Sequence, residues 1–538
     1  MGKKYRFVTF VKKPVFTRLF AFLFVLLASL SYAIFLLGCD PYNSPVGSRF
    51  DVPAPTKAEL LPAGAATIMG QAFPRFDQAA ANLPQALKAN FFAGKALAEQ
   101  PWIKAPATTN ARDGLGPIYN ARSCLACHIQ GGRGIIPAND GADLVSAIVR
   151  LSVASPSANE MQFVEIGVWP EPRYGDQLQT QSTALAHQLG KIKNPQQGYE
   201  PSAGEVLPEA YVSVDWLNEQ FVYPDKTAVQ LRRPKLNFSF MGYGEFAEGV
   251  QISLRNAPAI HGMGLLELID QYDINRWADP SDNNRDGISG RINQVWDSVL
   301  HTRRPGRFGH KANRPNVASA VAAAFVNDVG ITNPIFPQQP CTEYQLNCLQ
   351  QIHGAANPSV NKNQLERTSG KTNDDDAVEL PQHLLELVIN FNRNLGVPQR
   401  RDATSESVLA GREHFYRLGC AACHRPSYTT QKSADFPHLS EQIIWPYTDL
   451  LLHDMGPELA DGRPDFLASG SEWRTPPLWG LGLSEQVNGS NNLLHDGRAQ
   501  SVEEAILWHG GEAAVARDRF VHMSATARAS LIAFVNSL

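Results

Sequence analysis

Acidic residues are absent from the first 38 positions, and cysteine is scarce throughout, with seven in 538 residues. Charge is also thin, at 19% against 43% hydrophobic residues. So few cysteines exclude a small disulfide-built scaffold, and so much apolar material excludes a disordered chain; the length allows two to four domains with sizeable cores. There is no basic excess, since 48 Lys and Arg face 52 Asp and Glu. Six basic residues (Lys3, Lys4, Arg6, Lys12, Lys13, Arg18) fall in the acid-free start, so the rest of the chain carries about −10. No nucleic-acid partner is expected, because neutralising phosphates needs a basic face.

The basic start runs into an apolar stretch from Leu19 to Leu37, broken only by Ser29 and Ser31, which ends in Leu36-Leu37-Gly38-Cys39. A positive region, an apolar region and a small residue before cysteine read as a bacterial lipoprotein signal peptide over 1–38, cleaved before a lipidated Cys39. An uncleaved membrane anchor is the other reading of such a stretch. Either one puts the body outside the cytoplasm, and the expected location is the periplasm of a Gram-negative bacterium, tethered to the membrane. Inner and outer membrane are not distinguished.

Four of the remaining six cysteines form two motifs, Cys124-Leu125-Ala126-Cys127-His128 and Cys420-Ala421-Ala422-Cys423-His424. C-x-x-C-H is the pattern for covalent c-type haem: two thiols add to the two vinyl groups on one porphyrin edge, and the adjacent imidazole becomes the proximal iron ligand. A zinc site built from two C-x-x-C pairs is the rival, but zinc does not call for a histidine after both. Cys341 and Cys348 remain, close together in a polar, Pro-rich stretch. Outside the cytoplasm they are expected to form a small-loop disulfide, with a reactive dithiol as the sharper alternative.

The fold expected from the spacing is mainly α, with two cytochrome c-like haem domains and an N-terminal one enlarged by an insertion with some β-strands. After the signal, residues 39–100 read as a Pro-rich tether and N-terminal helices, 101–398 as the first haem domain, and 399–538 as the second. Val145–Val153 and Gln162–Val168 alternate like strands. Gln382–Leu395 carries an apolar stripe, as do Val408, Leu409, Phe415 and Leu418 before Cys420, and Ser524 caps a final run in which Leu531, Ile532, Val535 and Leu538 share a face. Asn361–Asp376 reads as an exposed loop, and there is no internal repeat beyond the two haem motifs.

From Trp473 to Gly511 the chain resembles the C-terminal haem domain of bacterial di-haem cytochrome c peroxidases, through Arg474-Thr475-Pro476-Pro477-Leu478, Leu494-His495-Asp496-Gly497 and Glu503-Glu504-Ala505. It is more similar still to the related family of di-haem oxidoreductases, peroxidase-like or thiol oxidoreductase-like. The segments that carry this are Arg173-Tyr174-Gly175-Asp176-Gln177-Leu178, Gly262-Met263-Gly264-Leu265-Leu266-Glu267, Asp286-Gly287-Ile288-Ser289-Gly290-Arg291, Asn327-Asp328-Val329-Gly330-Ile331-Thr332 and Leu452-His453-Asp454-Met455-Gly456-Pro457. The resemblance implies a sixth ligand for the C-terminal haem fourteen residues past the His495-Asp496-Gly497 histidine. That residue is His509, with Met455 as the competitor. Bis-histidine ligation implies a lower potential than in Met-ligated relatives.

For the first haem, His261, Met263 and His310 lie in family-like segments, and no spacing selects one of them; His310 stands where relatives usually carry Trp. Asp282, Asn284 and Asp286 alternate like the first half of an EF-hand loop, although the twelfth position is Asn293 rather than Glu. The peroxidases hold calcium between their haems, and Asn256 resembles one of those ligands. The expected activity is therefore a periplasmic di-haem oxidoreductase acting as a peroxidase. Electrons would pass from a donor protein through the C-terminal haem to an N-terminal haem that binds hydrogen peroxide or a related oxidant. The alternative is a non-enzymatic electron-transfer cytochrome c, linked to iron uptake.

Overall fold

The computed structural model describes residues 52–70, 74–105, 107–108, 112–154, 164–184, 205–351 and 378–538. The signal-like segment, Cys39, the start of the tether and the expected loop Asn361–Asp376 lie outside them. In chain order the main elements are α1 (Gln85–Glu99), β1 (Ala147–Ser152), β2 (Ala210–Val222), β3 (Ala228–Met241), β4 (Gln251–Asn256), α2 (Val317–Ala324), α3 (Gln382–Arg393), α4 (Glu406–Leu418), α5 (Val502–Leu507) and α6 (Ala525–Ser537).

The expectation of a mainly α chain is overturned: 30% of residues are helical and 20% are in strands, spread over several small sheets. The largest departure is the antiparallel β2–β3 hairpin. Ala210, Val212, Val214 and Trp216 alternate inward and are buried. Beyond Trp216 the polar run Asn218-Glu219-Gln220 destroys the alternation, yet the ladder continues residue by residue to Val222 opposite Ala228. Backbone pairing sustains the strand there, and side-chain periodicity carries no sign of it. A second sheet pairs β1 with β4 and with the short strand Gln177–Leu178. Residues 164–166 take a helical turn where a strand was expected over Gln162–Val168.

Two apolar cores organise the helices. In the first, α1, α2 and α3 gather Phe91, Trp102, Phe325 and Phe391. In the second, α4 crosses α6 around Phe415, Phe520, Leu531 and Phe534. Both crossings need a glycine, because a Cβ at Gly94 would lie 2.0 Å from the Leu387 carbonyl oxygen and one at Gly411 would lie 1.9 Å from that of Ser530. Ser405 and Ser524 cap α4 and α6 by accepting the amides of Val408 and Ala527.

The hairpin reaches from the first half of the chain into the second core, where Phe221, Tyr223, Val229 and Leu231 pack. Its tip is held by Tyr223 Oη donating to Glu503 (2.9 Å) and by the Arg528–Asp225 ion pair (2.7 Å). It therefore straps α5. Cys341 and Cys348 form a disulfide, and within its loop Gln345 donates to buried Glu209 and to the Arg173 carbonyl.

A buried charge cluster fixes the start of the described chain. Glu59 accepts from Arg400 Nη1 (3.0 Å) and from Arg412 Nε and Nη2 (3.0 and 2.7 Å), and all three side chains are at most 4% exposed. Removing the carboxylate strands two buried guanidinium groups. Glu59→Ala should cost about 3–5 kcal/mol in denaturant unfolding. Glu413→Ala, which breaks an exposed pair with Arg417, should cost about 0.5 kcal/mol or less.

Candidate functional site

In the second half, α4 stops at Gly419 (φ 96°), a left-handed residue that turns the chain into Cys420–Ala422 and then His424. Cys420, Cys423 and His424 open onto a cavity walled mainly by apolar side chains, among them Leu459, Leu478, Leu493, Ile506 and Phe520. His509, two residues beyond α5, lines the same cavity, as does Met455. Both imidazoles are anchored in the same way. His424 Nδ1 donates to the Tyr447 carbonyl (3.1 Å) and His509 Nδ1 to the Ala505 carbonyl (2.6 Å). With the proton fixed on Nδ1, each ring keeps its lone pair on Nε2. Burial pushes His424 down to about 4 and also lowers His509, so both rings stay neutral donors.

The hairpin strap bears on this geometry. Trp508, next to His509, is buried under the guanidinium groups of Arg233 on β3 and Arg498. Ser501 caps α5 by accepting the Glu504 amide, and Glu503 holds Tyr223. The ring that faces the cavity is therefore fixed from two sides.

In the first half, Cys124–Cys127 forms one helical turn and His128 follows it. His128 Nδ1 donates to the Pro258 carbonyl (2.6 Å), the same anchor for a third time, and burial lowers its pKa. Asp328 is the acidic group whose charge reaches Cys124, Cys127 and His128 together. It sits in a π-helical turn, Phe325–Val329, that ends in left-handed Gly330. Gln177 Nε2 donates to Asp328 Oδ1 (2.8 Å). Burial raises the Asp328 carboxyl above its usual range, and Gln177 and Arg150 offset only part of that rise.

One strand end joins the two sites. Beyond β4, Pro258 offers its carbonyl to His128, Asn256 accepts from His310 Nε2 (2.7 Å), and the Asn256 amide donates to the His495 carbonyl (2.7 Å). His495 stacks face to face on Trp473, with ring centroids 3.7 Å apart. Pro258, His310, Trp473 and His495 all line the His424 cavity. Arg133, just past the first motif, donates to the carbonyls of Asn492 and Leu494 and lines it as well.

Residues 61–538, which contain this whole constellation, match the family described as "Di-haem oxidoreductase, putative peroxidase". The chain belongs to this di-haem oxidoreductase family. No curated protein and no solved structure matches it. Haem is the family's cofactor, and the residues fit it. Cys124, Cys127, Cys420 and Cys423 are outside any disulfide, three imidazoles keep Nε2 free, and the His424 cavity is apolar.

The other expected positions divide. Of the three residues weighed for the first site, His261 is packed on Phe76 with Nε2 on the Trp479 carbonyl, and Met263 packs against the first core. His310 alone joins a site, the cavity of His424. In the turn of Asp282, Asn284 and Asp286, each side chain accepts a backbone amide of the same turn. Asn293, at the twelfth position, is buried and committed to Lys311, Asp465 and Leu467. Asn256 Oδ1, by contrast, is buried with no hydrogen-bond partner.

The pairing of Asp328 with Gln177 escaped the sequence reading, although both lie in segments that carry the family resemblance. Their separation of 151 residues hides it. In this di-haem oxidoreductase, His509→Ala should abolish the low-spin ferric spectrum of one haem while Met455→Ala preserves it. The opposite pair of spectra would make Met455 the ligand.

Proposed function

We propose that the protein is an exported, membrane-tethered periplasmic di-haem peroxidase. In this reading haem c is joined to Cys124 and Cys127 with His128 as proximal ligand, and to Cys420 and Cys423 with His424 as proximal ligand. The observation that carries it is the contrast between the sites. His424 shares its cavity with a second, identically anchored imidazole, His509, which suits an electron-transfer centre closed on both faces. The first site instead presents a raised carboxyl, an amide and a guanidinium: Asp328, Gln177 and Arg150.

When bound, haem supplies iron that can bind peroxide and exchange electrons. The protein's own part is proton handling and charge. Gln177 holds Asp328 Oδ1, leaving Oδ2 to take a proton from one peroxide oxygen and return it to the other as the O–O bond breaks. A raised carboxyl suits both halves of that transfer. Arg150 opposes the charge that develops on the departing oxygen. Two electrons and two protons convert one peroxide to two waters. The electrons come from a donor protein by way of the His424 site and the Trp473–His495–Asn256 connection to Pro258 and His128. A basic donor suits a body that carries about −10.

Calcium is assigned to Asn256, between the two sites, because its buried Oδ1 lacks a donor, and the Asp282 turn, whose side-chain oxygens accept amides of their own loop, is the competing position. Metal analysis should find calcium that Asn256→Ala removes and Asp282→Asn retains.

Asp328→Asn tests the reaction. Peroxide turnover with an electron donor should fall about 10²- to 10⁴-fold, with both haems still attached and the spectrum of the His424 site unchanged. Full turnover in that variant would overturn the assignment.

A further inference from the structure

His453 belongs to the segment Leu452-His453-Asp454-Met455-Gly456-Pro457, which the proposed reaction leaves without a role. Its ring is 3% exposed and lines the His424 cavity. Nε2 lies 2.8 Å from Asp449 Oδ2 and Nδ1 lies 2.6 Å from Glu512 Oε2. Carboxylates can only accept, so two such contacts require a proton on each ring nitrogen, and His453 is an imidazolium. Burial would raise Glu512, but bonds from His453 and Ser289 outweigh it and hold the carboxyl at about 2. Two carboxylates thus share one buried imidazolium, and the guanidinium groups of Arg425 and Arg474 also act on Asp449.

Their placement gives this charge a target. His453 Nδ1 is 3.7 Å from Cys423 Sγ, and Cys423, Asp449 and His453 converge within 4.8 Å. Asp449 is two residues from Tyr447, whose carbonyl anchors His424. Tyr447 (φ 54°) and Leu450 (φ 62°) are left-handed non-glycine residues, so this turn is strained to present both the carbonyl and the carboxylate. Glu512, three residues past His509, also accepts from Ser289 N and Oγ and from Asp454 N, and it borders an open recess with Gly287, Gly456 and Ser471. The triad therefore touches both chain segments that carry the imidazoles of this site.

We propose that Asp449, His453 and Glu512 are positioning residues that set the reduction potential of the C-terminal haem, the two carboxylates, held in place by the His453 imidazolium, favouring the ferric state. A fixed charge in a poorly solvated site acts on the iron without contacting it. The inference rests on the reading that haem occupies the His424 cavity.

The test is a redox titration of the purified holoprotein, followed optically and by EPR, with Glu512→Gln and, as a second variant, Asp449→Asn. Each removes one negative charge while leaving a side chain of nearly the same shape. The expected result is a rise in the midpoint potential of the bis-histidine haem alone, on the order of a tenfold change in its ferric-to-ferrous ratio, or about 59 mV for a one-electron couple. Potentials unchanged in both variants, with two haems retained and native EPR signals, would overturn the proposal. Failure of the underlying reading appears separately, as wild-type protein lacking a haem at Cys420 and Cys423.

Discussion

Three hydrogen bonds from an imidazole Nδ1 to a backbone carbonyl govern the functional geometry: His128 to Pro258, His424 to Tyr447 and His509 to Ala505. Each fixes the tautomer, the ring plane and the direction of the free lone pair at once. A histidine after C-x-x-C supplies the right atom, but only the carbonyl aims it. That requirement explains features distant from the chemistry. The strained turn at Tyr447–Leu450, the capped α5 and the chain beyond β4 each deliver one carbonyl to one ring.

The halves are joined for the same reason. Each proximal carbonyl lies on a different segment, so the sites keep their relation only if those segments are bound together. The β2–β3 hairpin packs its tip into the second core and presses on Trp508 beside His509. Asn256 ties the chain beside His128 to His495, and His495 lies against Trp473 in the wall of the His424 cavity. A strand in the first half thereby bears on the placement of the His509 ring in the second.

The two haem motifs are legible in the sequence because their chemistry is local, packed into five consecutive residues each. His509 is reached only through the resemblance, which implies a position fourteen residues past His495, and the fold sets that imidazole in the His424 cavity. The fold is less legible. β2 and β3 lose their inward alternation after Trp216, where pairing alone sustains them, and a reading based on periodicity assigns too little sheet. Asp328 and Gln177, like His453 with Glu512, meet only through tertiary folding, and neither pair leaves a spacing to find. In the Asp282 turn the alternating oxygens are legible in the sequence, and in the fold each of the three side chains accepts an amide of its own loop.

The proposed function divides the work between a closed iron at His424 and an open iron at His128, and EPR of the wild-type ferric protein with and without hydrogen peroxide distinguishes them. One low-spin bis-histidine signal is expected from the C-terminal site, with a second, distinct signal from the first site that changes when peroxide is added. Two low-spin signals, both indifferent to peroxide, would contradict it and leave an electron carrier.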